Sequence, residues 1–216
     1  MKPHIKAVIW DFGGVVSTSP FEAFNAYEAE RGLPRDFIRS VNARNPDENA
    51  WARLERSQVD ADGFDELFRS ESAALGHEVP GRDILALLAG RLRPRVVEAL
   101  KACKAHAKAG CITNNAPIGK GASMTQDAGR AREVEGVFAL FDHVIESSKL
   151  GIRKPDPRIY ALMCEALGVE PGACVYLDDL GINLKPARAM GMTTIKVLSE
   201  DQLLADLSQA TGLEFS

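Results

Sequence analysis

The chain has 216 residues, 45% of them apolar and 26% charged, with a formal net charge of −4, which suits one globular core or a core with a small insert. That balance excludes bulk electrostatic attraction to nucleic acid or to an anionic membrane surface. No apolar run approaches the ~20 residues needed to span a bilayer, and Lys6 and Asp11 interrupt the N-terminal stretch where a secretion signal needs its apolar region, so a cytoplasmic location is expected.

The first predicted element is the apolar run Ala7 to Trp10. It ends on Asp11, and Phe12, Gly13 and Gly14 follow in the stretch KAVIWDFGGVV. From Val16 to about Arg93 the pattern contains no convincing strand. Phe21, Phe24 and Tyr27 recur at helical spacing, and Gly32, Leu33 and Pro34 stop that helix. Asn45 and Pro46 read as the N-cap and first residue of a helix carrying Trp51 and Leu54. Phe64, Leu67 and Phe68 mark another helix ended by Gly76, and Ile84, Leu85, Leu87 and Leu88 mark one more.

Further short apolar runs follow at Cys111–Ile112, Val144–Ile145, Cys174–Leu177 and Thr193–Val197, with the polar, glycine-containing stretch Ile118 to Gly129 expected as a loop. Runs this short, without polar alternation, fit strands buried on both faces of a parallel sheet. Helical stretches between them give a βα repeat. The expected fold is therefore α/β: a doubly wound parallel sheet with an inserted helical block, with 1–16 and 94–216 as the core and 17–93 as a cap over the strand ends. Cys103, Cys111, Cys164 and Cys174 form no C-x-x-C pair and lie among apolar or helical residues, so reduced core thiols are expected rather than a zinc site.

In such sheets ligands sit beyond the carboxyl ends of the strands. The residues there are Asp11, then Thr113, Asn114 and Asn115, then Lys149, Arg153 and Lys154, then Asp178, Asp179 and Asn183. Taken singly, each reads as a turn residue, a helix cap or a solvated charge. Taken together, Asp11, Asp178 and Asp179 repel one another and need a counter-ion. A divalent cation with oxygen ligands supplies one, and Mg²⁺ suits the site because it leaves places for water and a phosphate. Thr113 and Lys154 then become donors to phosphate oxygens.

These stretches match, in order, the motifs of the haloacid dehalogenase superfamily, most of whose members are phosphatases. WDFGGVV resembles the first motif, with Asp11 as nucleophile; ITNN the second, with Thr113; RKPDP the third, with Lys154; and VYLDDLGIN the fourth, with Asp178 and Asp179. HVIESSKLGIRKPDPRIY and the stretch around Asp178 are similar to the phosphatase domain of soluble epoxide hydrolases, and DFGGV to a related domain fused to some acyl-CoA dehydrogenases. The resemblance implies a helical cap and an aspartyl-phosphate formed on Asp11. It also implies Mg²⁺ held by Asp11, the Gly13 carbonyl and Asp179, with Asp178 and Asn183 in support. Phosphate would be held by Lys154, Thr113, Asn114 and the backbone N–H groups of Phe12, Gly13 and Gly14. Asp156 and Pro157 read as an N-cap and first helical residue.

One departure stands out. Most phosphatases of that superfamily carry an Asp, the general acid and base, where this chain has Gly13. Without it the leaving oxygen lacks an obvious proton donor, which predicts a steep dependence on leaving-group acidity unless Asp47, Glu48 or Glu55 of the cap substitutes. The leading expectation is a Mg²⁺-dependent phosphatase acting on a small phosphorylated substrate. A catalytically weak binding or regulatory protein ranks second. A metal-independent dehalogenase, whose halide leaves without a proton, ranks third because of the Asp178–Asp179 pair. Arg35, Arg39, Arg44, Arg53 and Arg56 read as solvated helix faces rather than anion contacts, and nothing in the pattern specifies an oligomer.

Overall fold

The structure is a computed structural model and describes residues 5–88, 90–115 and 128–215. Five strands form one parallel sheet in the order β3-β2-β1-β4-β5: β1 (Ala7–Trp10), β2 (Lys108–Thr113), β3 (His143–Glu146), β4 (Cys174–Asp178) and β5 (Thr193–Lys196). The switch point falls at β1, flanked by β2 and β4, which is where a doubly wound sheet opens a crevice at its carboxyl edge.

Side-chain alternation explains why β1 carries no polar residue. Val8 and Trp10 join a cluster with Cys111, Val175, Leu177, Val96, Leu100 and Leu203, on the face covered by α6 (Pro94–Lys104), α7 (Ala128–Phe138) and α11 (Glu200–Thr211). Ala7 and Ile9 point the other way, into a cluster with Ile112, Tyr176, Ile159 and Tyr160 under α9 (Pro157–Leu167) and α10 (Gly181–Ala189). Both faces are buried, so both sets of alternate positions must be apolar. The four cysteines are free and buried in these layers.

Between β1 and α6 lie α1 (Pro20–Arg31), α2 (Phe37–Ala43), α3 (Ala50–Glu55), α4 (Ala61–Ala73) and α5 (Gly81–Ala86), with a third hydrophobic cluster of their own built on Phe24, Ile38, Leu54, Phe64, Phe68 and Ile84. Its two connections to the sheet lie side by side. Ser17 bridges Leu92 antiparallel, Thr18 N donates to Arg91 O (2.8 Å) and Arg93 N to Val16 O (2.9 Å).

Two features of this block differ from the sequence expectation. The helix carrying Trp51 and Leu54 is capped by Asn49, whose Oδ1 accepts from Ala52 N (2.9 Å), and not by Asn45. Asn45 has φ 45° and opens the preceding turn, its carbonyl accepting from Glu48 N and Asn49 N, so Pro46 lies in a turn. The helix α2, carried by buried Phe37, Ile38 and Val41, was not anticipated. Two boundaries agree: α1 ends on Gly32 in the left-handed region (φ 65°), and Asp156 caps α9 with Pro157 in its first turn. Two do not: α4 ends at Ala73, short of the expected stop at Gly76, and α5 ends at Ala86, before Leu87 and Leu88. The expected loop at Ile118 to Gly129 lies outside the described residues as far as 127, and α7 begins at Ala128. Among the described residues no helix is long and apolar enough to cross a membrane.

Candidate active site

Sheet register creates the site. Trp10 pairs with Cys111 on one side and Leu177 on the other, so Asp11 and Asp178 emerge from adjacent strands at the same level. Thr113 ends β2 at that edge and is buried. Lys154 comes from the segment after α8 (Ser147–Leu150) and is fixed by Asn114, whose Nδ2 donates to Lys154 O (3.0 Å) while its Oδ1 accepts from Lys154 N (2.9 Å). The Asn114 side chain is therefore engaged by the Lys154 main chain. The Lys154–Pro155 peptide is cis.

The Lys154 side chain is 1% exposed and its Nζ bridges two acids, 2.8 Å from Asp11 Oδ1 and 2.9 Å from Asp178 Oδ2. Burial alone would lower the lysine pKa, but Asp11 and Asp178 outweigh it and hold the ammonium above its ordinary range. Asp178 is saturated with donors. Its Oδ1 accepts from Leu180 N (2.8 Å) and its Oδ2 from Tyr176 OH (2.5 Å) and Lys154, while Asn183 Nδ2 lies 3.1 Å from both oxygens. A carboxylate so occupied orients Lys154 and has little capacity left for a cation.

Asp11, Asp178 and Asp179 each present a carboxylate oxygen within 4.8 Å of one another. Burial raises the Asp11 pKa well above the ordinary range; Lys154 opposes this, and Asp178 and Asp179 add to it. Asp179 is pushed up to about 6, by burial and then by Asp178. Two acids strained toward protonation beside a saturated third are an oxygen-donor set that fits a hard divalent cation, with Asp11 and Asp179 the available carboxylates. Ser19 Oγ, at the N-terminus of α1, lies 3.4 Å from Asp179 Oδ2 and ties the helical block to this edge.

The loop after Asp11 is also specific. Phe12 stacks on Phe138 of α7 (ring centroids 4.3 Å apart) and its N–H donates to Asp11 Oδ1 (2.7 Å), the oxygen that Lys154 also contacts. Gly14 has φ 81°, and a Cβ there would overlap the Asp179 carboxylate, whereas a Cβ on Gly13 would meet nothing within 4 Å. The two glycines therefore differ: Gly14 is required by backbone and neighbour, Gly13 by neither.

Of the three cations after β3, only Lys154 enters this cluster. Lys149 pairs with Glu146 at the surface, and Arg153 Nε lies 2.7 Å from Glu55 Oε2. Arg35 and Arg39 pair with Asp36, and Arg53 with Glu48. The sequence assigned no role to Tyr176, and it offered Glu55 only as one of three cap acids, without its contact to Arg153. Tyr176 had a signal: it stands two residues before Asp178 on a strand, hence on the same face. Glu55 meets Arg153 from a distant part of the chain, a contact with no local trace.

The sequence matches the family model for haloacid dehalogenase-like hydrolases over residues 5–191. It is 30% identical to mouse bifunctional epoxide hydrolase 2 over 98% of this chain, which spans 40% of that protein's length. It is 25% identical to the sesquiterpene phosphatase AstK of Aspergillus oryzae, over 96% of this chain and 97% of that one. Among solved structures, the L-2-haloacid dehalogenase of Xanthobacter autotrophicus superposes with a TM-score of 0.61 at 25% identity, covering 96% of this chain and 84% of the other. With the parallel sheet and the acids converging at its carboxyl edge, these matches make the chain a member of the haloacid dehalogenase-like hydrolases.

Proposed function

We propose that the chain is a Mg²⁺-dependent phosphatase acting on small phosphate monoesters through a covalent aspartyl-phosphate. The observation that carries this reading is Lys154 Nζ held between Asp11 and Asp178 with Asp179 alongside. Asp11 attacks phosphorus, forming an acyl-phosphate bond as the ester P–O bond breaks; water then attacks phosphorus and Asp11 leaves as a carboxylate. Lys154 and Thr113 hold the phosphoryl oxygens, and the backbone N–H groups of Phe12, Gly13 and Gly14 line the approach. Asp178 and Asn183 keep Lys154 aimed. Asp11, the Gly13 carbonyl and Asp179 would hold Mg²⁺, which when bound supplies positive charge against the phosphate. Residues 17–93 serve as a cap that encloses the substrate.

Phosphate release from a panel of sugar, nucleotide, lipid and aryl phosphates, with and without Mg²⁺, tests the reading. Turnover that needs the metal is expected; no release from any ester under any condition counts against it. The likeness to an L-2-haloacid dehalogenase favours a second reading, halide displacement by Asp11. That chemistry has no use for Asp179, so chloride release from 2-chloropropionate in the presence of a chelator would support it over the first.

A further inference from the structure

A phosphate ester's leaving oxygen needs a proton, and the side chain at position 13 that would carry it is absent. Space remains there, since a Cβ on Gly13 would meet nothing within 4 Å. In-line displacement puts the leaving oxygen opposite Asp11 on phosphorus, away from the strand ends. The block α1–α5 meets the rest of the chain at residues that follow strand ends. Ser57 Oγ donates to Ser148 O (2.6 Å), Arg153 Nη1 to Pro46 O (3.2 Å), and Ser19 lies beside Asp179.

The three carboxylates of this block that could substitute are not equivalent. Asp47 and Glu48 are exposed, and Glu48 pairs with Arg53 at 3.7 Å. Glu55, the last residue of α3, has a side chain only 14% exposed and reaches across the boundary to Arg153, the residue before Lys154. We propose that Glu55 is the proton donor and acceptor of this site, supplied from the helical block in place of the carboxylate missing at Gly13.

The chemistry balances, and it rests on the phosphatase reading above. As the Asp11–phosphorus bond forms and the ester P–O bond breaks, the leaving oxygen takes the bond's electron pair and the Glu55 proton. The resulting Glu55 carboxylate is left facing Arg153, a counter-ion already in place. In the second step that carboxylate accepts a proton from water as the water oxygen attacks phosphorus, which restores the acid. Burial raises the Glu55 pKa despite Arg153, Lys154 and Arg56, so the carboxyl keeps its proton to higher pH than an exposed glutamate. A buried ion pair serving only to seat the block on the sheet would show the same contact, so the test must separate the two roles.

Purified wild-type and Glu55→Gln chains are compared by kcat/KM over phosphate monoesters graded by leaving-group acidity, from 2,4-dinitrophenyl phosphate to simple alkyl phosphates. Wild type should show a shallow dependence, not the steep one that Gly13 alone implies. Glu55→Gln should lose about 10²–10⁴-fold on alkyl phosphates, the usual worth of general acid–base catalysis, and leave 2,4-dinitrophenyl phosphate unchanged. Adding Gly13→Asp to Glu55→Gln should restore part of the alkyl rate. Uniform loss across the series, or no loss, overturns the proposal. If Glu55→Gln does not fold, Glu55→Asp keeps the charge opposite Arg153 and withdraws the acid by one methylene; a loss confined to alkyl esters supports the role and a uniform one overturns it. A wild-type chain that hydrolyses no ester refutes the phosphatase reading and the proposal with it, whereas normal turnover with a uniform Glu55→Gln loss refutes the proposal alone.

Discussion

Gly14 and Asp179 compete for the same space: a Cβ on Gly14 would overlap the Asp179 carboxylate, and Gly14 is already in the left-handed backbone region at φ 81°. The loop from β1 and the turn after β4 thus touch through a missing side chain. Gly14→Ala must either displace Asp179 or shift the loop. It should cost about 1–2 kcal/mol from the backbone alone and should weaken Mg²⁺ binding measured by titration calorimetry. Unchanged Mg²⁺ affinity in a folded variant whose crystal structure has Asp179 displaced would show that Asp179 is not a ligand.

Lys154 would join stability to the proposed function. Asp178 is fully buried, and removing Lys154 leaves that charge without its cation. Breaking a buried pair in this way typically costs about 3–5 kcal/mol. Lys154→Ala should therefore lower the denaturant midpoint sharply and abolish turnover. Adding Asp178→Asn should recover much of the stability and none of the activity. If the double variant regains activity, Lys154 does not hold phosphate.

Asp11→Asn and Asn183→Ala should differ in kind. The first removes the proposed nucleophile, so turnover should be lost. The second removes donors 3.1 Å from both Asp178 oxygens but leaves Tyr176, Leu180 and Lys154 on that carboxylate, so the rate should fall and persist. Equal losses measured by phosphate release in folded proteins would refute this division of roles.

Much of the site was legible because parallel strands buried on both faces leave polar residues only at their ends. Asp11, Thr113, Lys154, Asp178 and Asp179 could be read in this way. The partner geometry was not legible. Nothing local in the sequence says that Asn114 clamps the Lys154 main chain or that Glu55 meets Arg153, since these contacts join distant segments. The helical block was read least well. Asn45 followed by Pro46 has the local chemistry of a helix start, but Asn49 takes the cap because its Nδ2 also donates to Asn42 O and Arg44 O (2.8 and 3.0 Å), anchoring the turn. Acids organise the block elsewhere, buried Glu28 accepting from Asp36 N and Ile38 N, and half-buried Glu71 from Ala50 N. An acid on a helix reads as solvated until the neighbouring element is known.

Asp65 of α4 makes the block's stability pH-dependent. Hydrogen bonds from the Arg82 side chain, the Arg82 N–H and Arg69 hold its carboxyl well below the usual carboxylate range. A folded-state value below the unfolded one, about 3.9 for Asp, gives stability that is present above that pH and lost as pH falls toward the folded value. Thermal melts between pH 7 and pH 2 should show Asp65→Asn less stable than wild type at neutral pH, with the two curves converging in acid. A constant gap across that range would show that the carboxylate's charge is not what stabilises the block.

The final prediction concerns the neighbour of Gly14. Gly13 lies outside the left-handed region, and a Cβ there meets nothing within 4 Å, so Gly13→Asp asks for neither backbone strain nor displacement. The stability of Gly13→Ala should therefore stay within about 0.5 kcal/mol of wild type, in contrast to Gly14→Ala, and any further loss in Gly13→Asp should come from its charge. The new carboxylate would stand near Asp11 and Asp179, so it adds repulsion, and the folded variant should need more Mg²⁺ to reach full turnover. With metal saturating, kcat/KM for alkyl phosphates should rise relative to aryl phosphates, because a second proton donor helps only the poorer leaving group. A variant that folds, binds Mg²⁺ and gives the wild-type ratio of alkyl to aryl rates would show that position 13 lies out of reach of the leaving oxygen.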